Sequence, residues 1–160
     1  MWSFKTAQIL LVAALPLASC GFTPVYGPDG VGTQLQNRVL VDEPLTRNGY
    51  LITRQLETRL GRTNDAAFAL SVTVKTQEVS LAIDADGVIE RYNLIGTADY
   101  TLINKSTGAI AASGQVESFT GYSATGTPVA ALAAERDASE RLMVILGDKL
   151  VAELQTQASL

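Results

Sequence analysis

One residue has both the type and the setting for covalent chemistry: Cys20, the only cysteine among 160 residues. It closes the tetrapeptide Leu17-Ala18-Ser19-Cys20, which has the form of a lipobox. In that setting the thiol is lipidated, and cleavage leaves the cysteine as the new N-terminus. The residues upstream agree. Met1 to Lys5 carries one positive charge and no acid, and Ala7 to Ala18 is apolar apart from Gln8 and Pro16. That run is about a dozen residues, short of the ~20 that a helix needs to span a bilayer. A short basic start, a short apolar centre and small residues at the end describe a secretory signal. The alternative on these residues is an ordinary signal peptide with a cysteine that falls by chance near the cut.

Lipidation would also account for an unpaired cysteine in an exported chain, where a free thiol would be reactive. Each buried CH₂ of an acyl chain contributes ~0.8 kcal/mol, so two or more chains anchor a protein stably. The expectation is a bacterial lipoprotein facing the periplasm. Gly21, rather than Asp, follows the cysteine, which fits the outer membrane.

Other chemistries lack their residues. The chain has no histidine and no second cysteine, which excludes His- or Cys-built zinc sites, Ser-His-Asp triads and Cys-His pairs. No metal and no cofactor is expected. Asp84-Ala85-Asp86-Gly87 looks like part of a calcium loop. In that register the first and twelfth positions fall on Ala82 and Asn93, where acids are required, so it reads as a hairpin turn. Lys105 and Ser106 sit in a polar turn, with nothing to desolvate the amine and activate it as a base for the serine. Asp84, Asp86 and Glu90 crowd one hairpin end and imply no cleft for a carboxylate pair. No enzyme is read from this sequence.

The formal net charge is −4, and it becomes −5 once residues 1–19, which hold Lys5 and no acid, are removed. An acidic chain lacks the basic footprint of a nucleic-acid binder. Length supports a single domain. The expected organisation is a signal over 1–19, a lipidated N-terminus and extended tether over 20–33, one α+β domain over 34–156 and a short tail over 157–160. In the tether, Phe22, Val25 and Tyr26 are too apolar for a purely solvated linker and are expected to pack on the body or on a partner.

The elements that must position everything else follow from periodicity. Leu35, Val39 and Val41 predict a short strand, weakened at Asn37. Leu45, Ile52, Leu56 and Leu60 share one face of a helix over about 47–60, ended by Gly61. Phe68, Leu70, Val72 and Val74 alternate with smaller or polar residues, as in a strand. The apolar phase then shifts to Val79, Leu81 and Ile83, which predicts a bulge near Thr76 to Glu78. Tyr92 to Leu102 alternates in the next strand, "NKSTG" turns, and Ile110, Ala112, Gly114 and Val116 line one side of a further strand. Thr127 and Pro128 suit the N-cap and first turn of a long helix to about Gln155. Its expected stripe is Leu132, Ala138, Leu142, Ile145, Leu146 and Leu150. Gly96, Ala98, Ala112 and Gly114 leave room for a helix to pack closely.

The predicted order is β-α-β-β-β-α, an α+β sandwich whose four-stranded sheet is covered on one face by two helices. The other face would carry Ser71, Thr73, Lys75, Arg91, Asn93, Ile95, Thr97 and Thr101. A half-apolar exposed face of that kind suits a partner or an amphiphile.

Cys20 followed by Gly-Phe-Thr-Pro-Val-Tyr-Gly resembles the mature start of alphaproteobacterial LPS-assembly lipoproteins of the LptE family. The resemblance extends over nearly the whole chain as an order of elements, and only the motif matches residue by residue. It implies a non-enzymatic lipoprotein of the outer membrane that sits in the lumen of the LptD β-barrel. There it acts as plug and assembly partner while lipopolysaccharide is placed in the outer leaflet. It also implies direct lipopolysaccharide binding through basic residues. Phosphorylated lipids are held by Lys and Arg, and the candidates on or beside the exposed strands are Lys75, Arg91 and Lys105. The competing reading of these three is ordinary solvated sheet residues. The alternative for the whole chain is a stand-alone periplasm-facing lipoprotein that binds a ligand or an enzyme, as an inhibitor or a transporter accessory subunit does.

Overall fold

The computed structural model describes residues 24–28, 30–83 and 89–158. The signal, Cys20, Phe22 and the acidic turn at Asp84–Gly87 lie outside the described residues. The chain runs α1 (Val31–Leu35), β1 (Val39–Val41), α2 (Arg47–Leu60), β2 (Phe68–Ile83), β3 (Ile89–Asn104), β4 (Ile110–Ser123) and α3 (Pro128–Gln157). This is the expected α+β fold with one short helix added in front.

That helix corrects the first predicted strand. Leu35 is fully buried at the end of α1, and the strand keeps only Val39–Val41. Asn37 is the reason. Its φ of 56° lies in the left-handed region, which Asn tolerates better than most residues and which no strand can pass through. The described part of the expected tether also differs from an extended chain, because the helix begins at Val31 and Gly32 within it is buried.

The sheet order is β1-β2-β3-β4. β1 is parallel to β2, and β2, β3 and β4 form an antiparallel meander. Positions alternate between a helix-covered and an open face. Leu94, Gly96, Ala98, Tyr100 and Leu102 are buried under the helices. Leu70 joins them from β2 and Val116 from β4.

The phase shift in β2 sits further along than expected. Pairing with β3 is regular from Phe68 through Ser80 and slips between Ser80 and Ile83. Glu78 and Ser80 occupy helix-face positions opposite Leu94 and Tyr92, so the apparent change of phase records polar residues at the uncovered end of the face. A second slip beside Ile103 turns Ile110 outward, 63% exposed, and buries both Ala111 and Ala112.

α2 begins at Thr46, whose side chain accepts from Gly49 N, and ends at Gly61 with φ 82°. Leu51 belongs to its buried face together with Ile52, Leu56 and Leu60. Leu45, predicted in the stripe, precedes the helix and is 97% exposed. α3 starts at Thr127, which accepts from Ala130 N, with Pro128 in the first turn. It buries Ala138, Leu142, Met143, Leu146, Leu150, Val151 and Leu154. Leu132 and Ile145 are exposed instead, because α3 must face two surfaces at once. One is the sheet. The other is α2, where a β-carbon on Gly147 would stand 2.8 Å from Gln55 Cγ.

The small residues of the sheet serve two ends. A β-carbon on Gly96 would stand 2.9 Å from Leu142 Cδ2 and 3.0 Å from Leu146 Cδ1, so Gly96 admits the helix. Gly114 does not. Its β-carbon would meet the Tyr100 ring, 2.9 Å from the hydroxyl oxygen.

Candidate functional site

Side chains at odd positions of β2, β3 and β4 form the open face, and the pairing register arranges them in rows. Ser71, Thr101 and Ser113 make one row, Thr73, Asp99 and Gln115 the next, and Lys75, Thr97 and Glu117 a third. Apolar rows lie on both sides. Gln77, Ile95 and Phe119 stand towards the β2–β3 hairpin, and Leu40, Ala69, Ile103 and Ile110 towards the other end. Phe119 is 63% exposed. The face is therefore a polar band between two apolar ones, which is finer than the mixed face the sequence predicts.

The three candidate cations do not gather. Lys75 is opposite Thr97, and Arg91 lies six positions before Thr97 on β3, about 20 Å away at the rise of a strand. The two share the open face by register. Lys105 lies eight positions beyond Thr97, about 26 Å in the opposite direction. Lys75 Nζ stands 3.4 Å from Asp99 Oδ2, so part of its charge is already answered. Asp99 also accepts from Gln115 Nε2. That hydrogen bond is the main cause that holds the carboxyl below the usual aspartate range; burial opposes it, and the hydrogen bond and charge of Lys75 add to the lowering.

Arg91 has different company. A groove of about 530 Å³ at the hairpin end of the sheet is lined by Arg91, Tyr92, Asn93, Tyr122, Asp137 and Arg141, among others. Tyr92 and Tyr122 stack there with centroids 5.4 Å apart. The Tyr122 hydroxyl donates to Glu78 Oε1 at 2.6 Å, and burial followed by that carboxylate pushes its pKa upward. Arg141 donates to Asp137 Oδ2 at 2.9 Å and to the Gly121 carbonyl at 3.3 Å. Arg141 is not among the cations that the sequence offers as candidates; it reaches the lining of the groove from α3.

At the opposite end the N-terminal segment is tied down. Gly27 N donates to the Pro24 carbonyl at 2.9 Å and Gly32 N to the Val25 carbonyl at 2.9 Å. Thr33 Oγ1 donates to the Gly27 carbonyl at 2.8 Å. Gln155 Nε2, on the last turns of α3, donates to the Tyr26 hydroxyl oxygen at 2.7 Å. Nearby the Tyr100 hydroxyl donates to Glu153 Oε2 at 2.9 Å, and burial, then that carboxylate, pushes the Tyr100 pKa up to about 12. Among the described residues no group of three or more acidic, His or Cys side chains is placed to hold a metal ion. No described helix is long and apolar enough to cross a membrane.

Residues 34–154 match a family model described as LptE, lipopolysaccharide-assembly. Among solved structures, a protein from Caulobacter crescentus described as a lipoprotein is 26% identical, with a TM-score of 0.66 over 79% of this chain and 93% of that one. The rare lipoprotein B from Shewanella oneidensis is 16% identical, with a TM-score of 0.58 over 76% of this chain and 94% of that one. A minor lipoprotein from Acinetobacter baumannii is 11% identical, with a TM-score of 0.60 over 75% of this chain and 91% of that one. The last two share the fold. Comparison with curated proteins finds no match.

Proposed function

The chain belongs to the LptE family of lipopolysaccharide-assembly proteins, and from that membership we propose that it is an outer-membrane lipoprotein seated in the lumen of an LptD-type β-barrel. Cys20 carries the lipid that holds it to the membrane. Its work there is mechanical: it fills the lumen, supports assembly of the barrel and takes part in delivering lipopolysaccharide to the outer leaflet. The observation that carries this reading is the family match over residues 34–154. The open sheet face supports it. A barrel interior is polar, and the central rows of Ser, Thr, Gln, Asp, Lys and Glu offer it hydrogen-bond partners.

Direct contact with lipopolysaccharide falls to Arg91, with Arg141 beside it in the hairpin-end groove, rather than to a single patch built from Lys75, Arg91 and Lys105. Two guanidinium groups and two stacked tyrosines suit phosphate and sugar together. Arg91→Glu is expected to weaken lipopolysaccharide binding while leaving barrel association intact.

The test of the main reading is an affinity pull-down through a C-terminal tag from detergent-solubilised membranes, followed by mass spectrometry. Recovery of a large outer-membrane barrel in equal amount supports it. Recovery of this chain alone, in a detergent that preserves barrels, overturns it in favour of a stand-alone lipoprotein with a soluble ligand.

A further inference from the structure

We infer that the end of the domain formed by α1, the β3–β4 turn and the last turns of α3 is a docking surface for the phospholipid headgroups of the membrane that carries the anchor. The inference rests on the lipid-anchor reading of Cys20 and adds to it a fixed orientation and two named contacts, Arg38 and Lys105.

The first support is where the described chain begins. Pro24 follows Cys20 by four residues, a reach of at most about 14 Å. From Pro24 onward the chain is not a free leash. Besides the bonds from Gly27, Gly32 and Thr33, a β-carbon on Gly32 would come within 2.9 Å of both Tyr26 Cε1 and Val25 Cγ1. Gln155 then ties Tyr26 to α3. A lipid on Cys20 must therefore hold this end of the body close to the bilayer. The β2–β3 hairpin stands at the other end of a sheet about 45–50 Å long, given strands of 14 to 16 residues.

The second support is independent of the tail. The carbonyl of Arg38 accepts from Ala67 N at 2.9 Å and Phe68 N at 3.0 Å, and Lys105 N donates to the Ala67 carbonyl at 2.9 Å. Arg38 and Lys105 thus flank Ala67 at the lip of the sheet. Both side chains are exposed. Among the described residues neither has a carboxylate within salt-bridge distance. Behind them runs the apolar row that contains Leu40, 48% exposed, and Ile110, 63% exposed. Cations in front of exposed apolar side chains are the composition of an interfacial surface, where Lys and Arg meet lipid phosphates and the apolar groups reach the acyl boundary. On a chain of net charge −4, a pair of exposed cations at the anchored end is a local reversal of sign.

The lipidated full-length protein is reconstituted into vesicles of phosphatidylethanolamine and phosphatidylglycerol free of lipopolysaccharide. Because the lone native cysteine is occupied by lipid, one fluorophore can be placed on Thr107→Cys in the β3–β4 turn, or on Val129→Cys at the start of α3. Headgroup-spin-labelled lipid should quench the Thr107 probe several-fold more than the Val129 probe. Arg38→Glu with Lys105→Glu should bring the Thr107 quenching down to the level of the Val129 probe. Equal or reversed quenching of the two probes overturns the orientation, and unchanged quenching in the double variant overturns the contacts. Mass spectrometry of the Cys20 peptide separates the premises. Without lipid on Cys20 the anchoring reading falls together with this one. With lipid present and Thr107 unquenched, only this inference falls.

Discussion

Lys149 Nζ on α3 donates to the carbonyl oxygen of Glu117 on β4 at 2.8 Å, and two helical turns earlier Arg141 donates to the carbonyl of Gly121 at 3.3 Å. β4 is an edge strand. The bond from Ala124 N to the Glu90 carbonyl turns even positions of β4 towards β3, so its odd carbonyls face outward. Eight residues of helix rise about 12 Å and four of strand about 13 Å, so the two cations meet alternate outward carbonyls in step. An exposed strand edge is a template for pairing with another chain, and here a helix covers part of it with side chains.

Replacing both cations, Arg141→Ala with Lys149→Ala, is therefore expected to leave the fold intact and promote self-association. Light scattering after size exclusion reads the result. A variant that stays monomeric wherever the parent does would remove the guarding role.

Gly96→Val drives a branched side chain into Leu142 and Leu146, both fully buried. Overpacking of this kind costs about 1–3 kcal/mol, visible as a lower urea midpoint with an unchanged slope. Gly114→Val should act at a different place, by displacing the Tyr100 ring and breaking its bond to Glu153. A Gly96 variant as stable as the parent would show that α3 can lift from the sheet without cost.

The raised pKa of Tyr100 has a definite sign. A hydroxyl that ionises near 10 in the unfolded chain and at about 12 in the fold makes a contribution that is fully present below pH 10. It is lost as pH climbs through 12. The stability gap between the parent and Tyr100→Phe should therefore narrow over that window in urea titrations. A gap independent of alkaline pH would contradict the burial of the Tyr100 hydroxyl together with its bond to Glu153.

Asp99 works in the opposite direction. Its pKa is depressed, so its contribution is present above the unfolded aspartate value, near 3.9, and disappears as pH falls through the folded value. The Gln115 hydrogen bond is the largest single cause. In a carboxyl NMR titration Gln115→Ala should raise the Asp99 pKa. An unchanged Asp99 pKa would remove the Gln115 bond as the cause.

Thr127→Ala removes the side-chain oxygen that accepts from Ala130 N at 3.2 Å. Loss of such a cap costs about 1 kcal/mol. Hydrogen exchange should rise first in the opening turns of α3, and protection left unchanged there would mean that Pro128 alone holds the start.

Much of this molecule follows from local pattern. The period of two in β2 and β3, the cap at Thr127, the stop at Gly61 and the apolar spacing of α2 each depend on residues a few positions apart. The sequence carries them because short-range sterics and hydrogen bonding decide them. The same is true of Cys20 and its flanks, where the expected chemistry is a matter of adjacent residues.

Tertiary structure decided the rest, because each remaining feature depends on elements far apart in the chain. Which side of α3 is buried depends on its meeting α2 as well as the sheet, so Leu132 and Ile145 lost their expected places and Met143 and Val151 gained them. Whether Gly114 makes room for a helix or for a tyrosine depends on its partner across the ladder. Lys75, Arg91 and Lys105 look equivalent as exposed cations in the sequence. Strand register separates them by about 20 Å or more and gives Lys75 an acid, while the packing of the elements puts Arg91 and Arg141 on the lining of one groove and leaves Lys105 near Arg38 across Ala67. Coulomb interactions fall with distance and are screened within about 10 Å in salt, so this placement determines which cations can act together.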